Sequence, residues 1–296
     1  MTTERHPPTP SRSPRGEVFV SADELARLLT GDRPPIVLDI RLANDGPDGR
    51  PEYAAGHIPG AVFVDVAADL QSEPGGLAGR RPLPDIARLQ SRAREWGVND
   101  GDAVVVYDSA FGTKAGRAWW VLRWAGVADV RLLDGGLSAW AGRGHEVSTV
   151  EPAPPPGTVT LSAGHLPVLD ADGAAEYAAA GRLLDARAPE VYRGEPAEPR
   201  RPRTGHIPGA ISAPTHGNLT ATGLLAGEDT LRRRFAGLGA DGTAPVGVYC
   251  GGGVWAAHEV AVLAGLGIPA GLFVGSFSAW EADPRREVTV GDDPGR

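Results

Sequence analysis

The sequence predicts an α/β protein of two tandem domains, each a mostly parallel central sheet flanked by helices. Three observations carry that prediction. The chain is 296 residues long, which suits two domains of roughly 100–200 residues better than one. It also repeats itself: LDIR at 38–41 returns as LDAR at 184–187, GHIPGA at 56–61 as GHIPGA at 205–210, VVVYDSAFG at 104–112 as VGVYCGGG at 246–253, and GGLSAW at 135–140 as GSFSAW at 275–280. The offsets are 146, 149, 142 and 140 residues, and four blocks in one order at nearly constant offset mark two copies of a unit of about 130 residues. Within each copy, short apolar runs alternate with amphipathic segments, the rhythm of strands joined through helices.

Taken in order, residues 1–15 are rich in Pro, Ser, Thr and Arg without periodicity and are expected to be a flexible tail. In the first domain, 16–150, IVLDI and AVVVY are short runs bounded by Gly, Pro and Asp, as buried parallel strands require. Between them PDIARLQSRAREWG places Ile86, Leu89, Ala93 and Trp96 at near-helical spacing, with arginines on the other face. The proline run EPAPPPGT at 151–158 resists helix and sheet interior and predicts a linker. The second domain, 159–290, repeats the rhythm with EDTLRRRFAGLG, PVGVYC and GVWAAHEVAVLAGLG, and 291–296 read as a frayed end. Each domain is expected to bury a core of its own, with Trp140 and Trp280 as equivalent core residues.

Composition narrows the function. At 42% hydrophobic and 22% charged the chain is an ordinary globular one. A net charge of -8 argues against nucleic acid, whose partners concentrate cations to release counterions. One cysteine, Cys250, excludes an internal disulfide and a multi-thiolate metal site; no metal and no cofactor are expected. Residues 1–15 hold no apolar run fit for a signal peptide and no stretch reaches the roughly 18 apolar residues of a span, so no membrane partner and a cytoplasmic location are expected. Monomer and homodimer both remain open.

Chemistry in open parallel sheets gathers where strands end and loops lead into helices, and Cys250 falls at such a point. In VYCGGGVWAAHEV three glycines follow the cysteine before the first helical turn. Glycines let successive N–H groups point inward, a nest that stabilises a thiolate. A silent, buried strand-end cysteine is the alternative.

The pattern Cys-x-x-Gly-Val-x-Ala, with GHIPGA, Asp-x-Arg at a strand end, and two copies of which only the second carries a cysteine, resembles the two-domain rhodanese and 3-mercaptopyruvate sulfurtransferase family over roughly residues 16–290. The resemblance implies two tandem rhodanese-like domains. It also implies that Cys250 takes a sulfane sulfur from a small anionic donor, thiosulfate or 3-mercaptopyruvate, and passes it to a thiophilic acceptor such as cyanide, a thiol or a protein, through a persulfide. The amides of Gly251, Gly252, Gly253, Val254 and Trp255 suit a large, diffuse persulfide anion. Asp108 stands at the cysteine position of the first copy and cannot form a persulfide, so that domain is expected to be catalytically silent and to wall the cleft.

In the resembling family the arginine of the LDAR motif holds the donor's anionic group, which would be Arg187 here, gripping a carboxylate or sulfonate through two parallel hydrogen bonds; a helix-capping surface arginine is the alternative. Arg193 and Arg200, before GHIPGA, are further candidates for substrate binding. His57 and His206 occur in both copies and are expected to stabilise turns, Asp39 and Asp185 to bond locally, and His258 to pack. The loop departs from the family: the mercaptopyruvate branch carries a Ser or Thr hydroxyl where Gly252 stands, and the thiosulfate branch carries Arg and Lys. Without loop cations a dianion is poorly neutralised, which favours 3-mercaptopyruvate.

Two other functions compete. A rhodanese-fold phosphatase or arsenate reductase needs a longer loop ending in an arginine, and none occurs from Cys250 to His258. A sulfur-relay or binding module would hand its persulfide to a partner protein.

Overall fold

The computed structural model describes residues 12–43, 49–195 and 203–295. Each half is built on a five-stranded sheet in which every pair is parallel. The first comprises β1 (Phe19–Val20), β2 (Ile36–Arg41), β3 (Val62–Asp65), β4 (Ala103–Tyr107) and β5 (Asp129–Leu133). The second comprises β6 (Val168–Leu169), β7 (Leu183–Asp185), β8 (Ile211–Ser212), β9 (Val246–Tyr249) and β10 (Ala270–Phe273). Their spatial orders, β1-β5-β4-β2-β3 and β6-β10-β9-β7-β8, are one topology used twice, as the internal repeat requires. The order in which strands are added reverses between β2 and β4 and between β7 and β9, and ligands of such sheets bind outside the carboxyl ends of strands at that switch point. Cys250 directly follows β9.

Strand composition follows burial. Val104, Val105, Val106 and Tyr107 are all buried, so β4 is apolar on both faces, as a strand covered by helices on both sides must be. The expected core tryptophans, Trp140 and Trp280, are buried and give their indole N–H to Glu146 O and Glu287 O.

The two halves share a core. One apolar cluster contains Trp119, Trp120 and Val121 of the first half together with Cys250, Val260 and Leu263 of the second, while the far face of each sheet keeps a smaller cluster. This departs from two self-contained cores, and the helices Ala115–Trp124 and Trp255–Gly265 explain it. Both follow the central strands, both are almost wholly buried, and they pack on each other. They meet backbone to backbone: a Cβ on Gly116 would lie 2.6 Å from the Cα of His258.

The expected tail and end are also tied in where they are described. Ser13 caps a short helix, Pro14–Val18, and Arg15 reaches across to Ala226 O at 2.8 Å. The proline-rich linker is extended as expected, yet anchored to the first half, with Gly157 N on Arg94 O and Val159 N on Val98 O. At the other end, Pro294 O accepts from Gly209 N at 2.6 Å, so residues 291–295 fold against the second GHIPGA turn. Residues 1–11 and 296 lie outside the described ones.

Candidate active site

β9 delivers Cys250 to the switch point, and the helix Trp255–Gly265 begins five residues later. Between them the chain turns on glycine. Gly253 has φ +78, and a Cβ there would meet Val274 O at 2.7 Å, so no other residue fits this turn without strain. The turn brings Gly253 N–H to 3.1 Å from Cys250 Sγ. The loop is fixed from behind as well: Cys250 N–H donates to Ser276 Oγ at 3.2 Å, and Phe277 N–H donates to Cys250 O at 2.9 Å. Cys250 is only 3% exposed. Trp255 opens the helix at half-burial, its indole edge-on to His216.

The first half shows what such a loop does. There Asp108 occupies the cysteine's place, and its carboxylate accepts from four backbone N–H groups of the following loop: Ala110 at 2.7 Å, Gly112 at 2.8 Å, Lys114 at 2.6 Å and Ala115 at 2.7 Å. A strand end running through this loop into a buried helix is therefore an anion cradle. The first copy fills it with its own carboxylate.

Beside each loop stands a second repeated device. Arg187 is buried, with Nε on Asp185 at 2.8 and 3.0 Å and Nη2 on the same carboxylate and on Gly205 O at 2.8 Å. Its guanidinium lies 4.2 Å from the Phe277 ring centre. Burial works against its charge, but Asp185 more than restores it and Cys250 adds to the effect. Arg41 grips Asp39 in the same way in the first half. The two-pronged grip expected of Arg187 is thus taken by Asp185, because a carboxylate buried two residues away cannot be left unpaired; among the described residues only Nη1 has no partner. Arg193 faces Glu195 and Asp292 at 3.7 and 3.6 Å. Arg200 lies outside the described residues.

Cations reach the Cys250 loop from the other half, which the sequence did not reveal. Arg80 Nη2 donates to Gly251 O at 3.0 Å, and Arg80 N–H to Ser278 Oγ at 2.9 Å. Arg81 Nη1 lies 3.2 Å from where a Gly252 Cβ would be, and Arg117 Nη1 lies 3.3 Å from the corresponding point on Gly253. Burial pulls Arg117 down to about 10, Arg81 adding to the pull and Cys250 opposing it; Arg81 is lowered by burial and by Arg80, again against Cys250. Two signals existed: the adjacent arginines of AGRRPLP, and Arg117 at an apolar phase of AGRAWWVLRW. Neither says which domain it serves.

The histidines behave as expected. The His57 and His206 rings stack on Tyr53 and Tyr192 at 4.0 and 3.7 Å, and each ring nitrogen meets a backbone carbonyl. His258 Nδ1 bonds Thr215 Oγ1 at 3.0 Å in the domain interface.

Comparison with known proteins gives this geometry a family. The Rhodanese-like domain matches twice, over residues 21–143 and 164–283. This chain is a rhodanese-family sulfurtransferase. Among its relatives is the Mycobacterium tuberculosis protein named "Putative thiosulfate sulfurtransferase SseB", 44% identical over 94% of this chain and 98% of that one. The 3-mercaptopyruvate sulfurtransferase of Escherichia coli is 36% identical over 89% of this chain and 95% of its own. The crystal structure of the Escherichia coli enzyme SseA superposes with a TM-score of 0.73 at 32% identity, covering 87% of this chain and 98% of that one. The chain pairs two copies of one parallel-sheet domain and puts its single thiol in the second. Among the described residues, no helix is long and apolar enough to cross a membrane.

Proposed function

We propose that this sulfurtransferase carries sulfane sulfur as a persulfide on Cys250. The Cys250 thiolate attacks the outer sulfur of a small anionic donor; the bond from that sulfur to the rest of the donor breaks, and its electron pair leaves with the donor remnant. A thiophilic acceptor, cyanide, a thiol or a protein, then attacks the outer sulfur of the persulfide and the Cys250 thiolate returns. The N–H groups of Gly251 to Trp255 cradle the persulfide, Gly253 first among them at 3.1 Å, and Arg187 lends its charge and the two N–H groups of Nη1 from the neighbouring strand end. The observation that carries this reading is Asp108: four N–H bonds to a carboxylate in the twin loop mark the cradle as built for an anion, and only the second copy puts a nucleophile in it. A thiol that must return to its reduced form each cycle suits a reducing compartment such as the cytoplasm.

Intact-mass measurement tests this. Incubation with donor should add one sulfur, about 32 Da, which cyanide should remove, and Cys250→Ser should show no adduct. A Cys250→Ser protein that keeps its turnover overturns the reading.

A further inference from the structure

Two arginines of the first half, Arg81 and Arg117, stand beside the Cys250 loop, their Nη1 atoms 3.2 and 3.3 Å from where a Cβ on Gly252 and on Gly253 would lie. Arg117 is 0% exposed. Its Nη2 donates to Leu70 O, Arg81 O and Pro82 O at 3.1 to 3.2 Å, which leaves Nε and Nη1 buried without a partner among the described residues. Nη1 is the atom that approaches Gly253. Among the described residues neither the buried Arg117 nor the half-buried Arg81 has a carboxylate partner, whereas the buried arginines Arg41, Arg131 and Arg187 each have one. A desolvated guanidinium is expensive unless an anion meets it, so two adjacent ones aimed at the same loop describe a place that an anion completes.

We propose that Arg81 and Arg117, supplied by the half without a cysteine, form the donor's anion site and select a dianionic donor such as thiosulfate over a monocarboxylate such as 3-mercaptopyruvate. The choice follows from what each transfer demands. When the Cys250 thiolate takes the outer sulfur of thiosulfate, the sulfur–sulfur bond breaks and sulfite leaves with both its charges and no proton; guanidiniums that stabilise the developing charge are sufficient. Transfer from 3-mercaptopyruvate breaks a sulfur–carbon bond and leaves an enolate that must gain a proton to become pyruvate. Guanidiniums hold charge but give up no proton at neutral pH. The buried ring of His258 is held down to about 4 by burial and by His216 and is tied to Thr215, so it carries no spare proton either. The preference for 3-mercaptopyruvate expected from a cation-free loop is reversed, because the cations come from another domain.

This inference rests on the Cys250 persulfide, and the two can fail separately. Thiocyanate formation from thiosulfate and from 3-mercaptopyruvate, with cyanide as acceptor, is compared in the wild type, Arg81→Met, Arg117→Met and Arg117→Lys. The wild type should favour thiosulfate in kcat/KM by about tenfold or more. Arg81→Met should lose roughly 30- to 1000-fold with thiosulfate, mostly through KM, and less than about fivefold with 3-mercaptopyruvate; Arg117→Lys should recover part of what Arg117→Met loses. In the Cys250→Ser background, sulfite should raise the melting temperature and Arg81→Met should abolish that rise. Equal losses with both donors would mean that the arginines act on the thiolate alone and would overturn the proposal, as would a wild type that favours 3-mercaptopyruvate. Should Arg117→Met fail to fold, the half-buried Arg81 decides the matter. If neither donor adds mass to Cys250, the persulfide reading falls first; if both load it and the donor ratio is unmoved in Arg81→Met, only the anion site falls.

Discussion

At the scale of the residue, Arg187 shows how a side chain's partners decide its role. Its Nε and Nη2 are committed to Asp185 and Gly205, and Asp185 is fully buried. Arg187→Ala would strand that carboxylate, a loss of about 3–5 kcal/mol, so its melting temperature should fall well below the wild type's. Adding Asp185→Ala should recover part of the stability, since the double variant leaves no unpaired charge. Thermal melts of the two single variants and the double variant check this. A stable Arg187→Ala that only raises KM would return Arg187 to the role of principal donor anchor. The sequence offered the right residue and motif here, but the identity of the carboxylate in its fork was a fact about two strand ends.

At the scale of the element, the helices Ala115–Trp124 and Trp255–Gly265 hold the halves together and aim the site. The first carries Arg117 and the second begins at the Cys250 loop. Their contact depends on Gly116, where a Cβ would lie 2.6 to 2.7 Å from His258 backbone and Cβ atoms. Gly116→Ala should therefore cost about 1–3 kcal/mol despite alanine's better helix propensity, and should lower turnover as Arg117 moves from the loop. Gly142, which has nothing within 4 Å of its would-be Cβ, is the control: Gly142→Ala should be neutral or stabilise by up to about 1 kcal/mol. Chemical denaturation of both variants, with activity measured alongside, checks the pair. Comparable behaviour of the two would show that the helices part without cost.

At the scale of the whole molecule, the shared core buries titratable groups at its seam. Glu259 is fully buried, with Oε2 accepting from Asn218 Nδ2 at 2.6 Å and Oε1 without a partner among the described residues. Burial pushes it up from 4.5 to about 7. Its neighbour His258 is pulled down by burial from 6.5 to about 4. For Glu259 the native state holds a proton that the unfolded chain has lost, so its contribution falls as pH rises from about 4.5 to about 7. For His258 the unfolded chain gains a proton first, so its contribution falls as pH drops from 6.5 towards 4. The two slopes oppose each other over most of that range, and above it only Glu259 acts. Relative to the wild type, Glu259→Gln should gain stability steadily between about pH 4.5 and 7, by on the order of 3 kcal/mol in all. Urea midpoints over a pH series check this, and parallel curves would exclude the buried proton.

How much was legible follows the range of the interactions involved. The repeat, the strand runs and the glycine turn after Cys250 are local in sequence, and local pattern fixes strands, turns and the position of a lone thiol at a strand end. The doubled parallel sheet, the stacked GHIPGA histidines, the buried tryptophans and the self-filled cradle of Asp108 are all consequences of residues a few positions apart or of one repeat matching the other. What the tertiary structure alone decided is long-range. Arg80 and Arg81 lie about 170 residues before the loop they approach, Arg117 more than 130, and the docking of one domain on the other brings them there. That docking arises because two apolar helices, each too hydrophobic for water, bury their faces against one another. A sequence shows that each helix needs a partner, but which surface supplies it, and which buried charges arrive with it, is set by how the two folded halves fit.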